Sequence, residues 1–134
     1  MIREPLAGMR AVVPVSRGLA VALASPDSTM CGLLRAAETS DEVWGPPLAV
    51  NLPSLTVTVG EMAAALERIA GHEAAARLEW VPDATVERVV GSWPAHFDWG
   101  RARELGMSAD ADFDDIVRAH QREAEFPRTP DSSA

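Results

Sequence analysis

Few side chains in this sequence are of types that do chemistry, and their spacing limits what they can do. Asp110-x-Asp112-x-Asp114 sets carboxylates at alternate positions, as a calcium loop does to surround one hard cation with oxygens. The pattern then fails, because Asp115 stands where the sharp turn needs glycine and Gln121 where the bidentate glutamate belongs. The run is expected to be the acidic start of a helix, where negative charge meets the positive end of the macrodipole. His72, His96 and His120 fall in separate elements, with no helical pairing and no cysteine nearby, so no metal site is expected. Cys31 lies in an apolar helical stripe, where a thiol acts as a small inert hydrophobe, and no Gly-x-Ser-x-Gly elbow accompanies it. No catalytic residue is assigned.

Cofactor chemistry meets the same obstacle. A pyrophosphate needs a glycine-rich turn that lets backbone N–H groups approach and a helix N-terminus to hold the charge. The nine glycines are scattered, and neither Gly-x-Gly-x-x-Gly nor Gly-x-x-x-x-Gly-Lys-Ser/Thr occurs. Of the seven aromatic residues, the four tryptophans (Trp44, Trp80, Trp93 and Trp99) are expected to anchor the core and an interface between lobes. The segment from Trp93 through His96 to Asp98 lies between two short helices, where exposed backbone suits substrate contact.

Composition narrows the remaining classes. Twelve basic against twenty acidic side chains give a formal charge of −8, which repels phosphate backbones and argues against nucleic acid or an anionic membrane as partner. A single cysteine excludes an internal disulfide. Met1-Ile-Arg-Glu-Pro5 puts charge and proline where a signal peptide needs an apolar run, and no window approaches spanning length, so a cytoplasmic location is expected. At 134 residues one domain can bury its own core, but 47% hydrophobic content with only 5% aromatic residues means a thin, Ala/Val-rich core that needs support from partners.

The elements that would position these residues can be read from local signals. Ala11–Val15 and Val21–Ala24 read as short strands. Ser25-Pro26 opens a helix to about Glu38 whose stripe Met30, Leu33, Leu34 and Ala37 is expected to be buried. Leu48, Val50 and Leu52 alternate as in a strand, as do Leu55, Val57 and Val59. Thr58-Val-Gly-Glu61 has capping-box spacing, and Met62, Leu66 and Ile69 give the following helix its apolar face up to Gly71. A strand over Arg77–Val81, a helix over Ala84–Val90, a helix opened by Phe97 and Asp98, and a helix from about Phe113 to Glu125 follow. The expected core is Met30, Leu33, Leu34, Val50, Leu66, Ile69, Val89 and Ile116. The expected fold class is α+β, with residues 1–126 folded and 127–134 a disordered tail.

Ordered segments over most of the chain carry a resemblance. Arg3-Glu-Pro-Leu-Ala-Gly8, Pro14-Val-Ser16, Ser25-Pro26, Asn51-Leu-Pro53, Thr56-Val-Thr-Val-Gly-Glu61, Phe97-Asp98 and Asp114-Asp-Ile116 resemble the distal half of an extended short-chain dehydrogenase/reductase. The family is that of the NAD-dependent epimerase/dehydratases (nucleoside-diphosphate-sugar epimerases among them), and the likeness is greatest to its D-erythronate-dehydrogenase-like members. The resemblance implies a small substrate-binding lobe without the Rossmann domain, with Met1 near where that lobe begins. It implies NAD or NADP in full-length relatives and no cofactor for this chain alone. The family's Tyr-x-x-x-Lys pair is missing, since the sequence has no tyrosine, so the chain by itself is expected to be inactive. Arg3, Ser25, Asp27, Trp93 and His96 are the implied substrate contacts, for a small sugar-like or hydroxy-acid molecule. Asp27 stands where the family tends to place a basic residue. Two partners are consistent with such a lobe: a separate cofactor-binding polypeptide completing a truncated or split enzyme, or a second copy in a non-catalytic homodimeric module. The apolar face for the second is expected at Ala11–Val15 and Val21–Ala24.

Overall fold

The computed structural model describes residues 1–125. The tail expected at residues 127–134 lies outside them. Local chemistry accounts for most elements. Helix α2 (Pro26–Glu38) starts where Ser25 accepts a hydrogen bond from the Ser28 amide, with proline at the first helical position losing nothing. Helix α4 (Val59–Ala70) opens with the full capping box of Thr58 and Glu61 and closes at Gly71, whose φ of 84° suits glycine. Asp83 caps α6 (Ala84–Gly91) through the amides of Thr85 and Val86. Helix α8 spans Phe113–Glu125. Short helical turns α1 (Arg3–Leu6), α3 (Asp41–Trp44), α5 (His72–Ala75) and α7 (Gly100–Glu104) complete the helices.

The strands form two small sheets. β1 (Ala11–Val13) runs parallel to β4 (Leu78–Trp80), with Ala11 opposite Leu78 and Val13 opposite Trp80. β2 (Ala20–Leu23) is antiparallel to β3 (Leu55–Thr58), with Ala20 opposite Thr58 and Leu23 opposite Leu55. Helix α4 follows directly from β3 and α8 packs along it, and buried residues of both sheets and both helices share one core. The main core joins Ala11, Val13, Val15, Val57, Val59, Ala63, Ala65, Leu66, Leu78, Phe113 and Val117. It is as thin as the composition implies, Ala and Val supplying most of it. A second cluster of Ala102, Leu105 and Met107 takes Ala36, Val50, Trp44 and Trp99 against it.

The expected core needs correction. Leu66 is fully buried, and Ile69 and Ile116 are half-buried against the main core, but Met30, Leu33, Leu34 and Val89 are at least half exposed. For α2 the cause is its buried Gly32. A side chain there would collide with Leu52, so the helix docks by its Gly32/Ala36 face, and Arg35 Nε donates to the Leu105 carbonyl at 2.9 Å. The stripe of Met30, Leu33, Leu34 and Ala37 consequently points outward, and Cys31 beside it is exposed rather than embedded. The expected strand over Leu48–Leu52 is irregular chain. Its neighbours Pro46, Pro47 and Pro53 have no amide to donate, and side chains satisfy this region instead: Trp44 Nε1 donates to the Leu48 carbonyl, and Asn51 Nδ2 donates to that of Asp98. The helix expected to open at Phe97 begins at Gly100, whose amide donates to Asp98 Oδ1 at 2.9 Å.

Candidate functional site

Three of the residues implicated by sequence come together. Arg3, Ser25 and Asp27 line one cavity of about 290 Å³, whose remaining walls are Met1, Ile2, Pro26, Ile116, Ala119 and His120. Ligand pockets run from roughly 300 to 1,000 Å³, so this one suits a small molecule. Its walls are mostly aliphatic, and its polar groups are one guanidinium, one carboxylate and one imidazole in addition to Ser25. Turn α1, the start of α2 and the middle of α8 each supply one part. His120 was not singled out by sequence for this role; its place on the Ile116–His120 face of α8 becomes informative only once that face is seen to line the same cavity as the start of α2.

Ser25 is the hinge of this arrangement and is itself buried. Its amide donates to Asp110 Oδ2 at 2.8 Å, and its hydroxyl donates to Asp110 Oδ1 at 2.6 Å while accepting from the Ser28 amide at 3.0 Å. The Ser28 hydroxyl adds a bond of 2.7 Å to Asp110 Oδ1. The Ser25 hydroxyl proton is thus committed, and the residue fixes the cavity wall. Burial alone would raise the Asp110 pKa, but the bonds from Ser25 and Ser28 outweigh it and hold the carboxyl below its ordinary range. The other two acids of the run also have separate tasks. Asp112 accepts from the Asp115 amide at the head of α8, and Asp114 forms a bidentate pair with Arg68 of α4 at 2.5 and 3.1 Å. Arg68's hydrogen bonds lower the Asp114 pKa despite opposing desolvation. No group of three or more His, Cys, Asp or Glu side chains could hold a metal among the described residues.

Trp93 and His96 do not join this cavity. They lie in the exposed chain after α6, with Trp93 at 62% exposure, and that chain is tethered by the Thr56 hydroxyl donating to the Ala95 carbonyl at 2.6 Å. A separate recess of about 260 Å³ nearby is lined by Phe97, residues 22–24 and residues 51–54.

Among the described residues, each helix of eight or more residues has a carboxylate at its N-terminus: Asp110 at α2, Glu61 at α4, Asp83 at α6 and Asp112 at α8. Each of these carboxylates accepts a hydrogen bond from a backbone amide at that end of its helix. Among the described residues no helix is long and apolar enough to cross a membrane.

No family model matches the chain. Individual proteins do. The chain is 41% identical over 124 residues to a D-erythronate dehydrogenase of Cupriavidus necator and 30% identical over 118 residues to one of Haemophilus influenzae, matching 92% and 88% of its own length. It spans only 38% of the length of either relative. Its fold superimposes on a nucleoside-diphosphate-sugar epimerase from Agrobacterium tumefaciens with a TM-score of 0.87 at 36% identity, covering 91% of this chain and 36% of that one. L-threonine 3-dehydrogenase from Trypanosoma brucei shares the fold at a TM-score of 0.78 and 20% identity. The chain is an α+β lobe with the fold of the C-terminal part of the extended short-chain dehydrogenase/reductases. Within that class its sequence is similar to part of the D-erythronate dehydrogenases and of the epimerase.

Proposed function

We propose that this chain is the substrate-binding lobe of a sugar-acid dehydrogenase or epimerase of this class and is catalytically incomplete without a cofactor-binding part. The observation that carries the reading is the cavity joining Arg3, Ser25 and Asp27, placed on a lobe 41% identical to part of a D-erythronate dehydrogenase. Its polar set suits a short polyhydroxy acid. Arg3 offers a guanidinium fork to a carboxylate, His120 offers a donor beside it, and Asp27 accepts from a hydroxyl. A sugar phosphate is less well served, because Asp27 opposes a second negative charge. Ser25 holds the start of α2 in place, and the aliphatic walls take the carbon chain. Trp93 and His96, exposed and away from the cavity, are second contacts made when the cofactor-binding part closes on the lobe. The lobe supplies binding and orientation. A nicotinamide dinucleotide held by the other part would accept the hydride, and the proton-transfer group would come from that part too.

The test is reconstitution. The full chain is co-expressed with the part of the Cupriavidus necator D-erythronate dehydrogenase lying outside its matched segment, and reduction of NAD or NADP is followed with D-erythronate. Turnover should require both polypeptides, and Arg3→Ala should raise KM by about tenfold or more with a smaller change in kcat, as loss of ground-state binding does. Turnover by this chain alone, or none by an assembled pair, would overturn the reading.

A further inference from the structure

Asp110 is not a wall of the cavity, but the segment that carries two of the cavity's polar groups hangs on it. Both of its oxygens are engaged: Oδ2 accepts from the Ser25 amide at 2.8 Å, and Oδ1 accepts from the Ser25 hydroxyl at 2.6 Å and the Ser28 hydroxyl at 2.7 Å. Asp27, the cavity's carboxylate, lies between those two serines in the first turn of α2 and is exposed. Its position is inherited from the serines on either side.

The elements around that turn are secured by other contacts. Strand β2 is paired with β3 as far as Leu23. Further along α2, Gly32 packs against Leu52, Ala36 joins the second cluster, and Arg35 Nε donates to the Leu105 carbonyl at 2.9 Å. Helix α8 is set on α4 by the Arg68–Asp114 pair and by Phe113 and Val117 in the main core. Loss of the Asp110 carboxylate therefore loosens one short stretch, Ala24 to Ser28. That stretch keeps the bonds made inside the turn, from the Ser28 amide to Ser25 Oγ and from the Thr29 amide to the Ser25 carbonyl. It also brings Ser25, Pro26 and Asp27 to the cavity that α8 lines with Ile116, Ala119 and His120. A binding group has to be held within about 0.5 Å of its productive geometry, and a turn without its tertiary anchor does not meet that demand.

We infer that Asp110 is a positioning residue for the cavity: acting through Ser25 and Ser28, it fixes the Asp27 carboxylate where a bound hydroxy acid meets it, and so sets affinity without touching the ligand. The inference rests on the proposed function for the site and its ligand class, and it adds a residue outside the cavity on which binding depends.

Calorimetric titration of the full chain with D-erythronate, at a temperature where each variant is folded by circular dichroism, tests this through a double-substitution cycle. Asp110→Ala should weaken binding by about five- to tenfold, and Asp27→Ala by a similar factor. Adding Asp110→Ala to Asp27→Ala should weaken it by less than about twofold more, because the group being positioned is already gone. Ser28→Ala, which removes one of the three bonds, should weaken binding by about two- to threefold with the same dependence on Asp27, and it takes the place of Asp110→Ala in the cycle if that variant does not fold. Wild-type affinity in the folded variant would overturn the inference, and so would losses that multiply in the double variant, since a general loosening of the lobe acts whether or not Asp27 is present. No binding of D-erythronate by the wild-type chain would overturn the proposed function itself, and this inference with it.

Discussion

Asp110 and Ser25, 85 positions apart in the chain, are joined by two hydrogen bonds, from the Ser25 amide at 2.8 Å and the Ser25 hydroxyl at 2.6 Å. The pair anchors the start of α2 to the segment that leads into α8, the two helices between which the cavity opens. Asp110→Ala leaves the buried Ser25 hydroxyl without its acceptor and should cost about 1 to 3 kcal/mol of unfolding free energy. Chemical denaturation of the purified variant measures it.

The same pair has a pH signature. The folded-state pKa of Asp110 lies below its ordinary value of 3.8, so its stabilisation is fully present above that pH. As the pH drops under 3.8 the unfolded chain takes up the proton first, and the contribution disappears as the pH falls through the folded-state value. Asp114, lowered by Arg68, and Glu61, lowered by the Thr58 amide, act in the same direction. Acid titration of stability should therefore be shallower in Asp110→Asn than in wild type; identical slopes would remove Asp110 from the linkage.

Leu66 and Leu33 provide an internal contrast. Leu66 has no exposed surface, so Leu66→Ala should cost about 2 to 5 kcal/mol, whereas Leu33→Ala, at 53% exposure, should stay within about 0.5 kcal/mol in the isolated chain. Equal losses would show that α2 buries its stripe after all.

Gly60 predicts a backbone constraint. Its amide donates to the Arg17 carbonyl at 2.8 Å, and an added Cβ would lie 3.0 Å from that same oxygen. Arg17 has little room to yield, with its guanidinium 3.9 Å above the Trp80 ring. Gly60→Ala should destabilise by about 1 to 3 kcal/mol in spite of the roughly 1 kcal/mol gained in helix propensity. A stabilised variant would show that the turn at residues 16–19 moves freely.

What the sequence made legible was local. Caps at Ser25 and Thr58, the stop at Gly71 and the bounds of α2 and α8 follow from side chains acting within a few residues, and each stands where its signal lies. Burial of α2 was not legible, because an apolar stripe at positions 30, 33, 34 and 37 has the same period whether it meets this lobe or another body. The decisive residue was Gly32, which carries no hydrophobic signal. Similarly, Asp110 looks like one more acid in a helix start, and only its long-range meeting with Ser25 reveals its task. Arg3, Ser25 and Asp27 could be named from their segments, but His120 required the packing of α8.

Amide chemical shifts of the full-length chain, followed by NMR as D-erythronate is added, address the proposed site without any other polypeptide. The expected result is saturable shifts concentrated at residues 1–3, 25–27 and 116–120, reduced in Arg3→Ala, with no shifts on addition of NAD or NADP. Shifts confined to residues 93–98 with the cavity silent, or saturable binding of either dinucleotide, would contradict the assignment of this chain as a substrate lobe with its site between α1, α2 and α8.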